Sequence, residues 1–332
     1  MQNAKCRVQN EGIRFAYYKK HARRAYHNFA FCTLHYAFHE VPTMLTKEQF
    51  HEKIASGTLI LDGATGSNLR AAGMPKDCCT ETWVLENPEP LVTLQRAYAE
   101  AGSNIVYAPT FQATPLSLEK VGMAAHTEKI NEALVALSRS AAPGCLIAGD
   151  LTTMAAVCES WDPDNFDLMV DAYRRQIRGL VDGGADLLIG ETLLYPQEAE
   201  AIWEAAQAEK AGAVLFSFTM QPDGTLFSGQ EAGKILHELE TMGAAAVGFN
   251  CVAASEDTPY LVSKLRRHVK GPLICKPNAG LPATGPDGSE RYTMTPEEFG
   301  TIQAQCRKNG AALLGGCCGT TPAHIAALSG IR

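Results

Sequence analysis

The segment Ala311-Ala312-Leu313-Leu314-Gly315-Gly316-Cys317-Cys318-Gly319-Thr320-Thr321-Pro322 decides how the rest of the 332-residue chain is read. Its first four residues are an apolar run, and Pro322 opens a stretch with helical spacing. Two adjacent cysteines therefore stand at the C-terminal tip of a buried strand, between glycines that let the backbone turn sharply. Gly248-Phe249-Asn250-Cys251 ends a second apolar run, Ala244 to Val247, in the same way. Three thiols at two strand tips suit a zinc site. Cys251, Cys317 and Cys318 would hold the metal, and a fourth tetrahedral position would stay open for a substrate. The competing reading is a buried cysteine pair with an unrelated third thiol, because free cysteine packs as a small hydrophobe.

Working outward, short apolar runs alternate with longer segments of helical period. The spacing predicts strands over Leu59–Leu61, Ile105–Ala108, Cys145–Gly149, Leu187–Ile189, Val214–Phe218, Ala246–Phe249, Leu273–Lys276 and Ala312–Leu314. Predicted helices fall between and after them, for example Phe166–Asp182, Pro196–Lys210 and Pro296–Asn309. Eight strand–helix units with no residues left for a second domain read as a single (β/α)8 TIM barrel. A doubly wound open sheet is the alternative, weakened because no G-x-G-x-x-G follows the first strand. The loop 282–288 is rich in turn formers and expected to be exposed.

Composition limits the function classes. Apolar residues make up 46% and charged residues 20%, which describes an ordinary globular protein with a sizeable core. The formal charge is −7 with no long basic stripe beyond the first residues, which argues against nucleic acid as a partner. No run of eighteen apolar residues is present, so no membrane span is expected. Eleven cysteines in a chain this long are not a small secreted disulfide framework, and thiols in a reducing cytoplasm are the default.

Residues 1–43 differ from the rest of the chain: seven Lys/Arg stand against two acids, whereas the remainder carries 22 against 34, a net of −12. A basic, acid-poor leader could be a transit peptide, but it is not Ser-rich or amphipathic. It reads as an extension, with the barrel domain running over 44–332. Thr46 and Gln49 have the spacing of a capping box at the first helix.

In a barrel of this kind the active site lies on the C-terminal strand ends. Those ends carry Asp62-Gly63-Ala64-Thr65-Gly66-Ser67, Gly149-Asp150, Gly190-Glu191-Thr192, Asn250-Cys251, Lys276-Pro277-Asn278 and Cys317-Cys318. Asp62 and Glu191 could each cap a helix or pair with a base. On one rim with a metal site they read better as substrate ligands. Gly63 and Gly66 leave backbone N–H groups for a small anion such as a carboxylate. Asp150 can orient a substrate or cap the next segment.

These stretches resemble the homocysteine S-methyltransferases, closest to the N-terminal homocysteine-binding module of cobalamin-dependent methionine synthase. The likeness rests on Leu61 through Gly66, Asn87-Pro88-Glu89-Pro90, Tyr98 through Gly102, and Gly190-Glu191-Thr192. It continues in Gly248 through Cys251, Lys276 through Pro282, and Gly315 through Thr321 with Ala323-His324-Ile325. It covers roughly residues 59–328 and leaves the leader unmatched. The resemblance implies Zn2+ on Cys251, Cys317 and Cys318 and a homocysteine sulfur that attacks a donor methyl group to give methionine. It further implies that Glu191 takes the substrate ammonium, that the turn Asp62-Gly63-Thr65 takes its carboxylate region, and that Asn278 stands near the open metal position.

The donor is expected from outside this chain, by methylcobalamin on a separate corrinoid protein or a methyltetrahydrofolate route. S-methylmethionine, a betaine or another thiol acceptor are the alternatives. A rival of another class is a non-catalytic zinc or redox-thiol barrel, whose closed site would need a fourth protein ligand such as His324. Two departures from the family pattern stand out: Ser67 in place of Thr, and Tyr107-Ala108-Pro109-Thr110-Phe111 in place of Thr-Asn-Thr-Phe. Cys78-Cys79 reads as incidental, Cys145, Cys275 and Cys306 as packing, and Trp83 and Trp161 as either packing or donor contacts.

Overall fold

The computed structural model describes residues 43–284 and 290–331. Eight parallel strands follow the predicted order: β1 Leu59–Ile60, β2 Ile105–Tyr107, β3 Leu146–Thr152, β4 Leu187–Leu193, β5 Val214–Phe218, β6 Ala246–Ala253, β7 Leu273–Asn278 and β8 Leu313–Leu314. They pair in the order β1-β8-β7-β6-β5-β4-β3-β2. A parallel bridge from Leu61 to Ile105 joins β1 to β2 and closes the ring. The Asn104 side chain helps at this seam, accepting from the Ile60 N–H at 2.8 Å. The fold is a (β/α)8 barrel, and a doubly wound open sheet is excluded by that closure.

Each strand is followed by a helix that covers its outer face. The eight are Pro88–Glu100, Thr127–Ala141, Phe166–Asp182, Pro196–Ala208, Ala232–Met242, Thr258–Arg266, Pro296–Lys308 and Pro322–Ala326. Proline at the first turn recurs among them, where its missing N–H costs no hydrogen bond. Strand residues alternate between two apolar layers: Leu187 and Ile189 face the lumen, whereas Leu188 packs outward under the helices.

Four strands run past their predicted ends: β3 by three residues, β4 and β6 by four, and β7 by two. The apolar runs stop where the lumen turns polar, yet the backbone ladder continues. Asp150, Glu191, Asn250, Cys251 and Asn278 therefore lie on strands, not in the loops beyond them. The turn-rich segment forms a short antiparallel pair, Ala283–Thr284 with Glu290–Arg291, and its tip lies outside the described residues.

The lower end of the barrel is closed by the helix Lys47–Ala55, which starts at the predicted Thr46–Gln49 capping box. Leu45 anchors it, donating to Asp186 O at 2.8 Å and accepting from Ala213 N at 2.7 Å. Phe50, fully buried, then fills the lumen against Leu59, Leu61, Ile105, Leu187, Leu215 and Ile274. Residues 1–42 lie outside the described residues, so the leader expectation is not addressed. Phe50→Ala should lower unfolding free energy by about 3–5 kcal/mol, the usual loss for emptying a buried aromatic site. Denaturant unfolding of the two proteins measures it.

Candidate metal and substrate site

The three sulfurs of Cys251, Cys317 and Cys318 converge at the mouth of the barrel, all within 4.8 Å of one another. Cys251 Sγ and Cys318 Sγ are 4.0 Å apart. A tetrahedral zinc with Zn–S near 2.3 Å has sulfur–sulfur edges of about 3.8 Å, so the trio fits such an ion with small adjustments. Among the described residues no His, Asp or Glu joins this group as a fourth ligand. His324 is committed elsewhere, its Nδ1 to Thr321 and its Nε2 to Met294 O at 3.0 Å. The sulfurs also act on each other. S–H groups of Cys251 and then Cys317 hold Cys318 well below the ordinary thiol range, while the same sharing raises Cys251.

Cys251 reaches this cluster through an unusual backbone. Its φ is +56°, and the register of β6 against β7 shifts between Asn250 and Ala253. Thr192 repeats the arrangement on β4, with φ +57° and a register shift between Gly190 and Leu193. Such left-handed non-glycine residues cost of order 1–3 kcal/mol each and persist only where neighbours enforce them. Asn250 is that neighbour. Its Oδ1 accepts from Thr192 N and Ser217 Oγ, both at 2.9 Å, and its Nδ2 donates to Thr192 Oγ1 at 2.6 Å. The same Nδ2 lies 3.7 Å from Cys317 Sγ.

The vicinal pair is pinned by backbone from both neighbouring strands. Gly316 N donates to Asp62 O at 3.0 Å, Cys317 N to Pro277 O at 2.8 Å, and Cys318 N to Asn278 Oδ1 at 3.0 Å. Thr320 closes the turn by donating to Cys317 O at 2.7 Å while accepting from Ala64 N at 3.0 Å. Ser67 keeps a hydroxyl function, its Oγ accepting from Gly319 N at 3.4 Å. Gly63 must be glycine here, since a Cβ would lie 2.7 Å from Tyr98 Oη and 2.9 Å from Thr320 Oγ1. The first and eighth loops are thus stitched into one platform.

Below the sulfurs the lumen is charged. Lys276 Nζ lies 3.1 Å from Glu191 Oε1 and 3.5 Å from Asp62 Oδ1, and 4.6 Å from the centre of the Tyr107 ring. All four residues are buried. Tyr107 N also donates to Asp62 Oδ2 at 2.8 Å. Burial pushes the Asp62 carboxyl up to about 7, against the opposing pull of Lys276 and the Tyr107 N–H. Burial likewise raises Glu191, again opposed by Lys276. Burial disfavours the Lys276 charge, but Glu191, Asp62 and Cys317 outweigh it and hold the ammonium well above its usual range.

The sequence-predicted residues fall into two groups. Asp62, Gly63, Glu191, Asn278 and the three cysteines share one rim. Thr65 begins the helix Gly66–Ala71 without a side-chain cap bond and is half-buried. The Asn278 carboxamide oxygen is engaged by the Cys318 N–H and not open toward the sulfurs. Trp83 packs under the first helices, whereas Trp161 is exposed and lies 5.4 Å from the Tyr195 ring. Cys79 bonds to Glu81 and Cys78 to Pro75 O, so that pair stands apart from the site. Lys276, Asn250 and Thr320 were not singled out by sequence reasoning. For Lys276 the signal existed: it shares the inward parity of Ile274, two residues earlier on β7.

Fold and site define a (β/α)8 protein with a cysteine cluster over a charged lumen. A family model described as homocysteine S-methyltransferase matches residues 59–331, and the chain belongs to that family. The methionine synthase of Mycobacterium tuberculosis is 30% identical over 293 residues, covering 82% of this chain and 24% of the relative. That of Mycobacterium leprae is 30% identical over 298 residues with the same coverage. The chain therefore spans about a quarter of these relatives' length. Among solved structures, the metallated homocysteine methyltransferase MmuM from Escherichia coli superposes with a TM-score of 0.70 at 28% identity, covering 83% of this chain and 96% of that one. A methyltransferase from Methanosarcina mazei, at 12% identity and TM-score 0.56, shares the fold.

Lys276→Met should destabilise the protein by about 3–5 kcal/mol, because it leaves two buried carboxylates without their cation. Adding Glu191→Gln and Asp62→Asn to that variant should recover part of the loss, and thermal unfolding of the series reports it.

Proposed function

We propose that this chain is a zinc-dependent homocysteine S-methyltransferase that takes its methyl group from a donor supplied by another molecule. The observation that supports this most is the convergence of three thiols over an acid-lined lumen, in a chain of this family. Homocysteine's thiol has an unperturbed pKa of about 8.5, so at neutral pH it is mostly the unreactive S–H form. Zinc, if held by Cys251, Cys317 and Cys318, would supply a Lewis acid that lowers a thiol pKa toward the thiolate.

The chain's own residues then do the positioning. Glu191 receives the substrate ammonium, and the Asp62-Gly63-Thr65 turn receives the carboxylate region through backbone N–H groups. These contacts hold the four-carbon amino acid so that its sulfur meets the cysteine cluster and faces the barrel mouth. Asn250 and Thr320 keep the three sulfurs in place. Asn278 steadies Cys318 by accepting its backbone N–H. The substrate sulfur attacks the donor methyl carbon in line, the bond from that carbon to its carrier breaks, and methionine leaves.

A corrinoid protein charged by a methyltetrahydrofolate route is the donor favoured by the Lys276-to-Pro282 wording and by the methionine synthases the chain resembles. A free small-molecule donor such as S-methylmethionine is the second reading. A cytoplasmic setting, with thiols kept reduced, suits either.

Cys317→Ala should lose both zinc and methyl transfer while the barrel stays folded, read by metal analysis and product assay on one preparation. Full activity with bound zinc would refute the assignment. Glu191→Gln should keep zinc and weaken homocysteine binding by about 1.5–3 kcal/mol, the usual loss for a charge-assisted hydrogen bond. Supplying methylcobalamin and S-methylmethionine separately identifies the donor: transfer from one alone decides between the two readings, and transfer from neither rejects both.

A further inference from the structure

Among the described residues the upper lumen holds three buried carboxyls and one ammonium, and the geometry matches only two of the carboxyls to it. Lys276 Nζ is within ion-pair distance of Glu191 and Asp62. Asp150, the third, is 5% exposed, and its Oδ1 has no hydrogen-bond partner.

This is not a residue left loose by the fold. Its backbone is fixed on both sides: the N–H donates to Thr110 Oγ1 at 3.0 Å, and the carbonyl accepts from the same hydroxyl at 2.8 Å and from Gln176 Nε2 at 3.3 Å. It does not cap the following segment. The side chain points inward with Ala148, two residues earlier on β3, which lines the lumen. It stands on β3 beside β4, where Asp150 is in register with Ile189 and Thr152 with Glu191, and burial first, then the Glu191 charge, push its carboxyl well above the usual range. The Tyr107 hydroxyl, also buried without a partner, belongs to the same lumen.

A buried carboxyl with an orphaned oxygen costs free energy that a structural role does not return. A ligand with several N–H donors would return it. Resting on the homocysteine reading, we propose that Asp150 is a second acceptor for the substrate's ammonium, and that it makes the pocket select thiols carrying a primary ammonium. Lys276 bridges Glu191 and Asp62, and Asp150 supplies a further acceptor, without a hydrogen-bond partner on its Oδ1, that the substrate's own cation satisfies. A primary ammonium has three N–H donors, so it can bond Glu191 and Asp150 together. A thiol acid without the ammonium leaves Asp150 unanswered.

The test compares homocysteine with 4-mercaptobutyrate, which has the same carbon chain, carboxylate and thiol but no ammonium. Calorimetry on the zinc-loaded full chain gives both affinities for the wild type, Asp150→Asn and Asp150→Ser, with zinc content measured on each preparation. Wild type should prefer homocysteine, and both variants should shrink that preference by on the order of tenfold or more, the fold-change of a lost charge-assisted hydrogen bond. Affinity for 4-mercaptobutyrate and zinc content should stay at the wild-type level, which a merely structural defect would not allow. An unchanged preference in a zinc-loaded variant overturns the proposal while leaving the homocysteine reading intact. So does an equal loss of affinity for the two thiols. Failure of the zinc-loaded wild type to bind homocysteine at all would instead sink that reading, and this proposal with it.

Discussion

A single ammonium, that of Lys276, makes the upper lumen of this barrel possible. Parallel barrels are filled by layers of side chains, and most fill them with branched apolar residues. The lower layers here obey that rule, sealed from below by Phe50. Above them Asp62, just past the end of β1, and Asp150 and Glu191, on β3 and β4, enter the interior. Carboxylates removed from water need a partner or lose their charge. Lys276, reaching from β7 across to β1 and β4, supplies it for two of the three and packs over the Tyr107 ring. The Tyr107 sequence, a departure from the family pattern, thus meets the lysine and Asp62 together.

The charged floor and the sulfur cluster are one construction. Asn250 ties two left-handed bends, at Thr192 on β4 and Cys251 on β6, to Ser217 on β5 between them. That bond set turns Cys251 toward the vicinal pair and sets Glu191, immediately before Thr192, toward Lys276. The loops after β1 and β8 close the opposite wall through Ala64, Thr320 and Asp62 O. Strain at two residues is therefore carried by a network of hydrogen bonds that also orients the cysteine cluster.

Much of the architecture was legible because a parallel barrel repeats a simple signal. All eight strands were visible as apolar runs, since strands covered on both faces need no alternation with polar residues. Their upper ends were not visible. Asp150, Glu191 and Asn278 look like the start of a loop when hydropathy is the guide, yet they continue the ladder into a polar lumen. The cysteine grouping was suggested by two strand tips, glycine-flanked at Cys317-Cys318, and carried mainly by the family resemblance; the structure brings the three thiols together. Asn250 was quoted with Cys251 but not given a task, because a carboxamide that clamps two bends is recognised only once the bends are known. Lys276 was read as the polar end of a strand, a position where lysine commonly reaches solvent. Only its parity with Ile274 pointed inward.

The central claim is that the three cysteines leave one metal position for the substrate's sulfur. Zinc-edge X-ray absorption on the loaded protein, before and after homocysteine, tests it most directly. The account predicts three sulfurs and one lighter ligand in the free protein, and four sulfurs with homocysteine bound. A zinc coordination shell that does not change when homocysteine is shown by calorimetry to bind would contradict it.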